Sequence, residues 1–227
     1  ATTSKSGLHL GVSEFYVEKG ANLNFTMIHN WQEDFVVRPR TVVTVNEDGN
    51  YTSNYISLDP VSSIQTYPTI ILKGSRSTAR SNSIVLAHPN SEIDIGSKVI
   101  LKGDKSKAEI LSRSVTTGGK VIARGLLDGQ ASNIKAHLEC DGLILSDKGI
   151  IHAIPELIAS RSDVDMSHEA AIGRVGEDQI NYLMTRGLTA EEATDLIVRG
   201  FLSVNIEGLR PEVRAAIEKI TNSGKGF

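Results

Sequence analysis

Cys140 is the only cysteine in the 227-residue chain, and His168 and Glu169 follow it by 28 and 29 residues. A thiolate, an imidazole and a carboxylate together form a donor set for iron or zinc. The thiolate is the member that matters most, because soft sulfur binds iron and accepts further sulfur, whereas a serine oxygen is too hard and too weakly nucleophilic. Spacing alone does not make these three residues a site. Taken singly, one cysteine in a strand-rich run reads as a small buried hydrophobe. Glu169 reads as a first-turn helix acid favoured by the dipole, and His168 as a hydrogen bonder at a helix entry.

The elements that would position these residues change character near residue 160. Upstream, short runs rich in β-branched residues recur between polar or glycine-containing breaks: Ile70-Ile71-Leu72, Ile84-Val85-Leu86, Val99-Ile100-Leu101, Val121-Ile122 and Ile150-Ile151. They read as strands. Their spacing, with Gly74, Gly96, Gly103 and Gly125 in the breaks, suits stacked coils of a β-helix, and a jelly roll or sandwich would give similar patterning. Alternation within Cys140-Asp141-Gly142-Leu143-Ile144-Leu145 puts Cys140, Gly142 and Ile144 on one face and Leu143 and Leu145 on the other. After residue 167 the period turns helical, so His168 and Glu169 are expected at the junction between a polar loop, residues 160–167, and a first helix. Residues 170–186 look helical despite Gly173 and Gly176, and glycines that cost about 1 kcal/mol each in a helix call for close packing nearby. Thr189 and Glu192 form a capping box before apolar Ala193, Leu196, Ile197 and Phe201. Pro211 opens a last helix through Ile220, with Gly224 placed to stop it. The expected domains are therefore 1–160, a β core, and 161–227, a helical unit.

Composition excludes several classes. A formal charge of -3 and a pI near 6.1 leave no basic stripe for nucleic acid. No run approaches the ~18 apolar residues of a membrane span. A single cysteine rules out an intramolecular disulfide framework and fits a reducing, cytoplasmic setting. No GxxxxGK[ST] is present, so ATP binding by a P-loop is not expected. Gly118-Gly119, Asp104 and Lys105 read as turn chemistry.

Four motifs in fixed order carry more specific information: Cys140-Asp141-Gly142-Leu143-Ile144-Leu145, His152-Ala153-Ile154-Pro155, Ser167-His168-Glu169-Ala170, and Gly173-Arg174-Val175-Gly176-Glu177-Asp178-Gln179, followed by Arg186-Gly187. In these the chain resembles the SufB/SufD family, the scaffolds of the SUF iron–sulfur cluster assembly system. Fainter similarity reaches back through Tyr67–Gly74 and His29-Asn30-Trp31 to Leu8. Family members usually carry a further N-terminal segment, so the chain reads as a short homologue or a trimmed form.

The resemblance implies a mainly β protein with α elements: a right-handed parallel β-helix core followed by a C-terminal helical domain. It implies a SufB-like scaffold for a nascent iron–sulfur cluster, with Cys140 as sulfur acceptor and with Cys140, His168 and Glu169 as metal ligands. His168 matches the position used from the SufD side and Glu169 the one proposed in SufB, so a homodimer bringing both sets to one interface is expected, or a SufB/SufD-type pair. His29, Trp31 and Arg38 match a proposed sulfur path, although His29 and Arg38 stand where bacterial SufB usually has glutamine and lysine. Glu177, Asp178, Gln179 and Arg186 match the region that engages a SufC-like ABC ATPase, the separate subunit expected to hydrolyse ATP. By charge alone that region reads as a solvated helix face. The alternative within the family is a SufD-like structural partner that binds the ATPase and builds no cluster. A carbohydrate-active β-helix enzyme is a third class, disfavoured by the lack of clustered carboxylates on the β face.

Overall fold

The computed structural model describes residues 4–202. The helix expected from Pro211 lies outside the described residues. Thirteen strands follow one another: β1 (Ser6–Val17), β2 (Asn22–His29), β3 (Asp34–Val45), β4 (Asn50–Ser57), β5 (Ser63–Thr66), β6 (Thr69–Leu72), β7 (Thr78–Ala87), β8 (Glu92–Leu101), β9 (Lys107–Thr116), β10 (Lys120–Gly129), β11 (Lys135–Ile144), β12 (Ile150–Ala159) and β13 (Asp165–Arg174). Two helices close the described chain, α1 (Glu177–Met184) and α2 (Ala190–Leu202). All strand pairing is parallel, in two sheets ordered β1-β3-β5-β8-β10-β12, with β6 beside β3 and β8, and β13-β11-β9-β7-β4-β2. This is a parallel β-helix of about six turns, as the β-branched runs and the family resemblance led us to expect.

Each coil is built the same way. Residues that pair across coils are 27 to 30 apart, for example Val42 with Thr69, Glu92 with Lys120 and Lys120 with Ile150. One corner recurs with a left-handed backbone at Gly20, Asp48, Arg76, Lys105 and Asn133. At each of these corners the amide donates to a carbonyl one coil further on, as Arg76 does to Asp104 and Lys105 to Ser132, both at 2.9 Å. Glycine is required where those corners stack. A Cβ on Gly103 would lie 1.9 Å from the carbonyl oxygen of Gly74, and one on Gly74 1.9 Å from the amide nitrogen of Glu47.

Strand alternation sends one set of side chains into the lumen, where Val43, Val45, Ile70, Leu72, Val99, Leu101, Leu127 and Leu138 form a dry aliphatic core. A second apolar layer covers the outer face of the β2-to-β13 sheet. There Ile56, Ile84, Leu86 and Val115 pack against Val198 and Leu202 of α2, with Leu143 and Leu145 beside them.

Three sequence expectations are corrected. The last strand, β13, runs through residues 165–174, so helical structure starts at Glu177 and not after residue 167; His168 and Glu169 lie inside a strand. Gly173 is a strand residue whose added Cβ would meet nothing, and Gly176 is the N-cap of α1, so neither marks close packing inside a helix. The capping box forms in both directions, Thr189 N–H to Glu192 Oε2 at 2.8 Å and Glu192 N–H to Thr189 Oγ1 at 3.2 Å. The buried face of α2, however, is Ala193, Val198 and Leu202, while Leu196 points to solvent.

Candidate functional site

Cys140 lies in β11, on the lumen side, in line with Ala136, Leu138 and Gly142. It is 1% exposed. Burial, followed by the nearby Asp141 and Glu139 carboxylates, pushes its thiol up to about 11. In this state the sulfur is a neutral S–H at physiological pH, and deprotonation needs a cation that displaces the proton.

Its neighbours across the sheet are Ser112 of β9 and Ala170 of β13. The Ser112 and Ser114 hydroxyls are buried without a hydrogen-bond partner among the described residues. His168 stands opposite Leu138. By alternation it therefore shares the lumen face with Cys140, one strand over and two residues along. Its Nε2 is buried and unpartnered. The structure thus brings Cys140 and His168 to one face. Glu169 stands opposite Glu139, so it faces outward, away from the thiol within the same chain. Among the described residues no group of three His, Cys, Asp or Glu side chains is arranged to hold a metal.

The coil that covers Cys140, and that contains His168, is the last one. Among the described residues β12 pairs only with β10 and β13 only with β11, so no described strand pairs with the far edge of either. Leu157 is 41% exposed although its partner one coil back, Leu127, is fully buried. Ile150, Ile158 and Ile172 are also exposed there.

His29 and Trp31 lie at the opposite end of the lumen. The Trp31 indole N–H donates to His29 Nδ1. That bond fixes a neutral imidazole with its proton on Nε2. Desolvation, then the nearby His9, lowers the His29 pKa to about 4. The Tyr55 ring lies tilted against His29 with centroids 4.7 Å apart, and its buried hydroxyl, without a partner among the described residues like His29 Nε2, is held protonated by desolvation. Beside Tyr55 a lumen cavity of about 30 Å³ is bordered by Ser53, Thr66, Ser81, Ser83 and Ser97. Such a volume admits about one or two waters. Arg38 does not join this group: it projects from the outer face of β3, donating to the Ser63 carbonyl at 3.2 Å and to Ser63 Oγ at 2.9 Å.

The third set lies on α1 and just after it. Glu177, Asp178 and Gln179 are exposed in the first turn, where the two acids also suit the helix dipole. Arg186 lies over the Tyr182 ring, 5.3 Å from its centroid. Sequence reading missed the lumen residues Tyr55, Ser112 and Ser114. Their signal was available in principle, since each sits about one coil from another small or polar lumen residue.

Residues 1–201 match the family model described as SUF system FeS cluster assembly, SufBD core domain. The chain belongs to the SufBD family. An iron–sulfur cluster assembly SufBD family protein of Archaeoglobus fulgidus is 50% identical over 94% of this chain and 58% of its own length. One from Methanothermobacter thermautotrophicus is 49% identical over 95% of this chain and 53% of its own. The iron–sulfur cluster assembly protein SufB of Bacillus subtilis is 34% identical over 87% of this chain and 43% of its own. The chain thus spans about half the length of the curated relatives it matches. Within this SufBD core, the His168 motif maps to the final coil, the Cys140 motif to the coil before it, and the His29-Asn30-Trp31 motif to the first. Among the described residues no helix is long and apolar enough to cross a membrane.

Proposed function

We propose that the chain is a scaffold on which a nascent iron–sulfur cluster is built at the open end of its β-helix, with Cys140 as sulfur acceptor and iron ligand and His168 as the nitrogen ligand beside it. The observation that carries this reading is their common lumen face on adjacent strands, at the coil whose outer edges pair with no other described strand. Protein-bound clusters commonly draw on about four ligands, and one chain offers one thiolate. A two-fold pair would double the set. The free edges of β12 and β13, flanked by exposed Ile150, Leu157, Ile158 and Ile172, are the surface for such a pair, because unpaired strand edges recruit further strands. Glu169 would contribute from the outer face of the same edge strand.

The neutral thiol suits a protected acceptor. It stays unreactive while buried, and iron binding replaces its proton. Sulfide, which needs no carrier thiol and keeps its oxidation state, would join iron held by the Cys140 thiolate, reaching it past His29, Trp31 and Tyr55 and the small cavity beside them toward Ser112 and Ser114. Arg38 stands outside that route. Exposed Glu177, Asp178, Gln179 and Arg186 would form the contact for a separate ABC-type ATPase, whose movement would favour an open edge over a closed one.

A SufD-like role is the second reading, and the deep burial of Cys140 favours it. Anaerobic reconstitution with ferrous iron and sulfide, followed by sizing chromatography, separates the two. The scaffold reading expects iron and visible absorbance to elute with a two-chain species. A chain that forms the pair and binds the ATPase yet takes up no iron is the SufD-like partner.

A further inference from the structure

Arg113 of β9 makes three contacts that link elements far apart in sequence. One guanidinium nitrogen donates to the Phe201 carbonyl at 2.9 Å, in the final turn of α2. The guanidinium carbon lies 5.8 Å from the centroid of the Phe201 ring. The second terminal nitrogen is 3.7 Å from Glu139 Oε1. Carbonyls at a helix C-terminus lack helical partners and carry the negative end of the dipole, so a cation is favoured there. The planar fork of arginine lets one side chain serve the helix and the sheet together.

Glu139 is not an isolated carboxylate. Asp141 stands directly beside Arg113 across β9 and β11, and Glu169 stands directly opposite Glu139 across β11 and β13. Like charges directly opposed on neighbouring strands weaken their pairing. Arg113 is the cation paired with Glu139 at that point.

We propose that Arg113 is a positioning residue that couples the seat of α2 on the sheet to the pairing of β13 with β11. A macromolecular partner that draws α2 off the sheet removes the Phe201 carbonyl that holds the guanidinium toward Glu139 and leaves it to turn to Asp141, directly opposite. Glu139 and Glu169 then repel across the two strands, and the last strand over Cys140 loosens. The functional meaning of that loosening rests on the scaffold reading above; the coupling itself does not.

Native-state hydrogen exchange on the full chain tests it. Arg113→Gln should speed exchange of β13 amides about two- to fivefold, the range of one cross-strand charge contact, while β8 amides stay unchanged. Adding Glu139→Gln should return β13 to wild-type exchange, which a loss of packing around Arg113 would not do. Leu202→Ala, which loosens α2 from its apolar seat, should speed β13 in the wild-type background and leave it unchanged beside Glu139→Gln. Unaltered β13 exchange in Arg113→Gln, or a rise that Glu139→Gln fails to reverse, overturns the coupling. No iron is present in these measurements, so their failure leaves the scaffold reading standing, and failure of iron uptake leaves the coupling standing.

Discussion

The first coils of the β-helix are filled by aromatic rings, whereas the last coil has none. Phe15 and Phe25 pack with centroids 4.8 Å apart, and Trp31 stacks on Phe35 at 5.3 Å. No Phe, Tyr or Trp occurs between Tyr67 and Tyr182. On its lumen side the final coil presents Met166, His168, Ala170 and Ile172 from β13, and Ile151, Ala153 and Leu157 from β12, several of them exposed. Bulky rings cover much of a lumen end, since each buries about 150–250 Å². Small and aliphatic residues do not. Among the described residues both ends leave strand edges unpaired, β1 and β2 at one end and β12 and β13 at the other, but only the first has rings in its lumen, and the only thiol lies one strand from the second edge.

The comparison can be broken most forcefully with a matched pair of leucines. Leu127 and Leu157 occupy the same position in successive coils, one fully buried and the other 41% exposed. Leu127→Ala should cost about 2–5 kcal/mol in urea unfolding, and Leu157→Ala about 1 kcal/mol or less. Equal losses would mean that the last coil is as closed as those before it.

A pH titration sharpens the contrast at the aromatic end. Unfolded His29 protonates near 6.5, and the folded residue resists until about 4. Between those values the unfolded state binds more protons, so stability is complete above pH 6.5 and falls as pH drops toward 4. At about 1.4 kcal/mol per unit the loss is about 3 kcal/mol over the window. Urea midpoints at pH 7 and pH 4.5 should show it, and His29→Gln should remove most of the dependence. A His29→Gln variant as pH-sensitive as wild type would locate the acid-labile group elsewhere.

The smallest effect on folding is expected at the open end. Ile158→Lys should change unfolding free energy by no more than about 0.5 kcal/mol, because Ile158 is exposed. Sedimentation at micromolar concentration should nonetheless show two-chain association lost, since a lysine on a strand edge blocks pairing. An unchanged dimer would place the interface away from β12.

Much of this was legible in the residues. The runs at Ile70, Ile84, Val99, Val121 and Ile150 are all strands, because β-branched side chains suit a pleated, half-buried surface. The alternation around Cys140 also holds, with Leu143 and Leu145 under α2 and Cys140 in the lumen. The coil length was harder to see. Lys73-Gly74-Ser75-Arg76-Ser77 returns as Lys102-Gly103-Asp104-Lys105-Ser106, and only this corner signature marks a 29-residue period. Glu169, Ala170 and Ala171 in β13 are good helix formers, which hides the strand in the sequence. Ten parallel pairings with β11 outweigh that local preference. The outward turn of Glu169 is hidden with the strand, since only strand alternation separates it from His168.

The central claim is that Cys140, behind the unfinished coil, is the sulfur on which a cluster forms. Its most direct test is iron content and visible absorbance after anaerobic reconstitution of wild type and Cys140→Ser side by side, with circular dichroism to establish that both are folded. The account predicts that wild type retains iron and colour through desalting and that the folded serine variant retains neither. A serine variant that loads iron and absorbs as wild type does would contradict it.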